Sequence, residues 1–179
     1  MKFSRYLLAA FAAIVALGAP TWASAEDETS QPKPWVTTKS IDYASALAIS
    51  RVGLQAAREM GLRASIAVVN ASGQTIVLLR DDGASQQFSE GATAKAWTAA
   101  NLSASTQELD KQSRIAAQDN AQLPNIAGTL YLWGGLPLEV DGALVGAVGA
   151  AAGTGEQDVR VAEAAASAYE KRVSESQAP

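Results

Sequence analysis

Two residue types that carry much of metal and nucleophile chemistry are missing from this 179-residue chain, which has no histidine and no cysteine. That removes Ser-His-Asp and Cys-His catalytic systems, ordinary zinc sites, and His- or Cys-ligated iron. Apart from Met1 the one methionine is Met60, on the apolar face of a predicted helix, where its thioether packs in the core. A transition metal held here takes oxygen, from Tyr or less usually Thr. The 18 carboxylates show neither a marked acid–base pair nor a DxDxDG-type loop for calcium or magnesium. Lys95, near the inner face of a predicted helix, reads either as half of an ion pair or as the cation of an anion site. Gly153 and Gly155 mark a strand-to-helix turn, but the third glycine position of a dinucleotide fingerprint holds Asp158, and Glu156 stands beside it. Two carboxylates there repel a phosphate and already complement the helix dipole.

The elements that position these groups follow from periodicity. Apolar residues Ala46, Ile49, Gly53, Ala56 and Met60 recur three and four apart after Ile41, with Arg51, Gln55 and Arg58 opposite, which predicts a helix ended by Gly61. Ser65–Asn70 and Thr75–Arg80 read as strands of a hairpin closed by Ala71-Ser72-Gly73-Gln74. Asp81 and Asp82 then solvate the turn beside Arg80. A second helix spans Phe88–Leu102, with Phe88, Ala92, Ala96 and Ala99 on one face and Trp97 projecting from the other, as a subunit contact more often than a cofactor contact. Ser105 to Glu108 is a capping box that opens a short helix to about Ile115. The loop from Ala116 to Gly128, broken by Pro124, can border a pocket.

Thr129–Leu132 is rich in β-favouring types and predicts a strand, interrupted by Gly134 and Gly135. Pro137 places Leu136–Val140 at a sheet edge, Asp141-Gly142 is a type I′ hairpin turn, and Ala143–Ala152 is a strand of small apolar residues covered on both faces. Thr154 to Gln157 forms a second capping box, opening a helix to about Val173 whose buried stripe is Val159, Ala162, Ala166, Tyr169 and Val173.

Residues 1–25 have Lys2 and Arg5, an apolar run from Tyr6 to Leu17, and Ala23-Ser24-Ala25, the pattern of a secretory signal cleaved before Glu26. No later stretch is long enough to span a bilayer. Residues 26–38 predict a flexible N-terminal arm, with Trp35 docking on the domain or a neighbouring subunit, and residues 39–175 a single domain. Removing the signal leaves 12 basic against 18 acidic residues, a net charge of −6, which makes nucleic acid an unsuitable partner. The expected location is periplasmic or secreted.

The segments SIAVVNASGQTIVLLRDDGA, AKAWTAANLSAST, IAGTLYLWGGLPLEVDGALVGAVG and QDVRVAEAA together resemble the GlcG/HbpS-like, haem-binding family over Ile41 to Tyr169. The resemblance implies a profilin-like α/β fold, a five-stranded antiparallel sheet with helices packed on it, and homo-oligomers that are octamers in the haem-binding branch. It implies an exported, non-enzymatic protein that binds or senses haem and acts on a sensor kinase ectodomain. The iron ligand of that branch matches Thr129; Tyr131 and Trp133 are assigned to ring stacking and Lys95 to propionate pairing. The branch's Glu-x-x-Glu iron pair is represented by Glu90 alone, Thr93 holding the second position. A glycolate-linked branch implies instead an accessory protein or minor enzyme for a small organic acid, which needs Lys95 and Arg80 to converge. A third reading is an interaction protein whose Trp97 surface and N-terminal arm dock a membrane sensor.

Overall fold

The computed structural model of the protein describes residues 34–118 and 127–178. The chain divides into two units, Met1–Val36 and Thr37–Pro179. The signal segment and the arm as far as residue 33 lie outside the described residues; Pro34, Trp35 and Val36 are exposed.

In the second unit the order is α1 (Tyr43–Glu59), β1 (Ser65–Asn70), β2 (Thr75–Arg80), α2 (Gln86–Leu102), α3 (Thr106–Gln118), β3 (Gly135–Val140), β4 (Ala143–Ala151) and α4 (Gly155–Gln177). The strands form one antiparallel sheet in the order β2-β1-β4-β3. Strand alternation sorts the core into two layers. Ile66, Val68, Val148 and Ala150 meet α1 and α4 through Ile49, Val161, Ala162, Ala165 and Tyr169. Ala67, Val69, Ala147 and Ala151 meet Ala92, Ala96, Ala99 and Ala100 of α2. That second interface is built of alanines and is very close: a Cβ on Gly149 would run into the Ala92 carbonyl oxygen. Pro137 sits in β3, an edge strand where its missing N–H costs nothing, and Asp141 and Gly142 have φ of 53° and 72°, as a type I′ turn requires.

The sheet has four strands, not the expected five. Residues 129–132 form a loop, in which Thr98 Oγ1 accepts the Leu130 N–H at 2.8 Å. Just beyond it, Gly134 C=O accepts from Ala150 N–H, and Thr106 Oγ1 accepts at 2.9 Å the N–H of Gly135, the first residue of β3. Ile41, expected to open α1, lies before it and donates its N–H to Val145 C=O at 2.8 Å, while Asp42 caps the helix by accepting the Ser45 N–H. Its carboxyl is thereby held below the usual range, chiefly by Ser45.

Ala57, not Ala56, completes the buried stripe of α1. α2 starts two residues early, capped by Ser85. In α4 the buried stripe passes through Val161 and Ala165 where Val159 and Ala166 were expected, and the helix continues to Gln177. Asp81 does not solvate its turn. It is buried and paired with Arg58 at 2.6 and 3.1 Å, with Arg63 at 3.6 Å, and this pairing pulls its carboxyl down to about 2.

Candidate functional site

A buried ion pair joins α2 to the start of α4 beside the end of β4. Lys95 of α2 and Asp158 of α4 are 3% and 5% exposed, and Lys95 Nζ lies 2.6 Å from Asp158 Oδ2. Nζ also donates to Ala150 C=O at 2.9 Å, while Asp158 Oδ1 accepts the Ala152 and Gly153 N–H groups. Sequence logic allowed Lys95 an ion pair or an anion site; the structure gives it the ion pair. Asp158 had been read only as a complement to the helix dipole. Nothing local reveals that its partner is Lys95, 63 positions away.

Two clefts flank this pair. The first, about 530 Å³, is lined by Thr129 and Leu130 from the loop, by Phe88, Glu90, Gly91 and Ala94 of α2, and by Leu132. Thr129 is half-buried there. Glu90 shares the cleft but is exposed, with the Gln86 amide at 3.4 Å. Thr93 spends its hydroxyl on Ser89 C=O at 2.8 Å. Among the described residues no group of three or more Asp, Glu, His or Cys could hold a metal ion.

Tyr131 and Trp133 face a second cleft of about 350 Å³, with Asp110 and Arg114 of α3 and Gly155 and Glu156 of α4. The Trp133 indole N–H donates to Asp110 Oδ2 at 2.9 Å, and its ring rests against Gly155, where an added Cβ would come within 3.3 Å. Trp133 first and Arg114 second hold the Asp110 carboxyl below its usual range. The loop therefore does not bring the candidate residues to one point: Thr129 and Glu90 share one cleft, Tyr131 and Trp133 the other, and Lys95 lines both.

Trp97 lies on a further cleft of about 550 Å³, with Leu78, Glu90, Ala94 and Gly128. Arg80 donates to Ala84 C=O at 2.8 Å and lines none of these three clefts, so it does not join Lys95 in an anion site. Phe88, which packs against the alanine core as its helix face requires, and Leu132, which lies in a loop and not a strand, both line the Thr129 cleft. No helix among the described residues is long and apolar enough to cross a membrane.

The fold has known counterparts. The crystal structure of HbpS is 35% identical and superposes with a TM-score of 0.69, covering 77% of this chain and 96% of that one. A structure of the PduOC:heme complex is 28% identical with a TM-score of 0.65, covering 72% and 94%. Among curated proteins, an uncharacterized 15.0 kDa protein of Citrobacter freundii is 32% identical over 70% of this chain and 89% of its own length. The corrinoid adenosyltransferase PduO of the same organism is 30% identical over 74% of this chain but only 40% of its own length. Residues 41–167 match the family model described as haem degrading protein HbpS-like, and the chain belongs to that HbpS-like family.

Proposed function

We propose that this protein is a haem-binding module that takes the macrocycle in the Thr129 cleft. The observation that carries the reading is the convergence of a half-buried hydroxyl, Thr129, with Phe88, Ala94, Leu130 and Leu132 on one cleft of about 530 Å³. Its size falls within the roughly 300–1,000 Å³ of small-molecule pockets. The cleft offers neither imidazole nor thiolate and its Lys95 amine is committed to Asp158, so its donor set fits an oxygen-ligated iron. Bound haem would supply the redox-active iron and its absorbance. This chain's part is an apolar wall that excludes water, a hydroxyl at Thr129, and a rigid floor in the Lys95–Asp158 pair.

That floor favours binding over catalysis, because the two buried ionisable groups nearest the cleft already neutralise each other. The names of two relatives support a tetrapyrrole: one is a complex with heme, and the other acts on a corrinoid. The reading extends to an exported homo-oligomer cleaved before Glu26, with a sensor kinase ectodomain to report haem occupancy. Tyr131 and Trp133, expected to stack on the ring, face the neighbouring cleft, and Glu90 is an exposed carboxylate on the rim of this one.

The test is a hemin titration of protein recovered from the exported fraction, its start at Glu26 checked by mass, beside Thr129→Ala and Glu90→Gln. Saturation at a fixed ratio, with a Soret band displaced by Thr129→Ala and untouched by Glu90→Gln, is expected. Unsaturable binding indifferent to Thr129 refutes the haem reading.

A further inference from the structure

The Thr129 and Trp133 clefts share four lining residues: Lys95, Leu132, Gly153 and Asp158. Lys95 and Asp158 are locked to each other and to the backbone, and Gly153 has no side chain. Leu132 alone is free to change rotamer, and it is 62% exposed. A lone exposed leucine is ordinary. This one is informative because it bounds two cavities at once. The backbone on either side is held by Thr98 at Leu130 and by Thr106 at Gly135, and the Trp133 side chain by Asp110, so Leu132 is the part of the shared boundary that can move.

We infer that the two clefts are halves of one trough for a flat macrocycle, and that Leu132 is the specificity-determining residue that decides whether a ligand seated at Thr129 extends to Trp133. The inference rests on the tetrapyrrole reading of the Thr129 cleft. The two clefts, at about 530 and 350 Å³, together reach the upper part of the range for small-molecule pockets. The far half is suited to a planar π-system. Trp133 is already fixed by its bond to Asp110 and by Gly155 behind it, so stacking on it requires no side chain to be ordered at binding.

The experiment compares hemin affinity and Soret position for the wild type, Leu132→Ala, Leu132→Trp and Gly155→Ala. Opening the bar in Leu132→Ala tightens hemin binding by about threefold or more, as apolar contact extends into the second cleft. Leu132→Trp weakens it by about tenfold or more by filling the passage. Gly155→Ala pushes Trp133 toward the second cleft and weakens binding only if the ligand reaches that far. The Soret band stays sensitive to Thr129→Ala in all three backgrounds, since the hydroxyl at Thr129 is untouched. Equal or weaker affinity in Leu132→Ala, with a Soret band still sensitive to Thr129→Ala, overturns the trough and leaves the haem reading standing. Hemin binding that ignores Thr129, or none in wild type and Leu132→Ala alike, overturns both.

Discussion

Replacing Asp158 by Asn removes one charge while keeping nearly the same shape. The Asn carbonyl oxygen can still accept the Ala152 and Gly153 N–H groups that Asp158 Oδ1 accepts. The other side of the amide, however, presents an NH₂ to the Lys95 ammonium, which is 4% exposed and has no second carboxylate partner among the described ion pairs. Breaking a buried pair by removing one partner costs about 3–5 kcal/mol, a large share of the ~5–15 kcal/mol by which a domain is stable. For a unit of this size that lowers the melting temperature by on the order of 10 °C. The double variant Lys95→Met/Asp158→Asn should recover about 2 kcal/mol or more, because Met fills the lysine's apolar stem without a charge and Asn keeps the two backbone bonds. Urea unfolding followed by circular dichroism on the four members of the cycle gives the coupling directly. A coupling below about 0.5 kcal/mol would show that this pair does not hold the start of α4 to α2.

Two further outcomes are expected. Gly149→Ala should destabilise by about 1–3 kcal/mol or more in a thermal melt, because its Cβ meets the Ala92 carbonyl and must push α2 off the sheet; an unchanged melt would refute the close contact. Asp81 has a folded-state carboxyl near 2 against an ordinary 3.8, so its contribution is fully present above about pH 4 and is lost as pH falls toward 2; Arg58→Ala should flatten the stability profile in that window, and an identical acid profile would refute the assignment.

Local signals were legible where the structure is local. The Ala71–Gln74 hairpin loop, the Asp141-Gly142 turn and the Thr154–Gln157 capping box depend on residues within a few positions of one another, and each forms as its residue types require. The Thr129–Leu132 segment failed as a strand for a non-local reason: β propensity needs a partner strand, and the Leu130 N–H is taken instead by the Thr98 hydroxyl of α2. The Arg58–Asp81 and Lys95–Asp158 pairs cross 23 and 63 positions, and only the packing of α1, α2 and α4 on the sheet brings them together. Lys95 could be seen to need a partner; which carboxylate supplies it could not. The candidate residues were legible as a set, but their division between two clefts depends on the loop's path.

The alanine face of α2 bears on how a ligand is received. Ala92, Ala96 and Ala99 reach the sheet through Cβ atoms that have no rotamers, and Gly149 brings backbone against backbone beneath them. Val69 is the one buried side chain larger than alanine in that cluster, so α2 has less room to yield locally to an incoming molecule than a leucine-packed helix. Affinity then has little reorganisation entropy to overcome on that wall, and the molecule's tolerance for ligands of different outline is confined to the loop opposite.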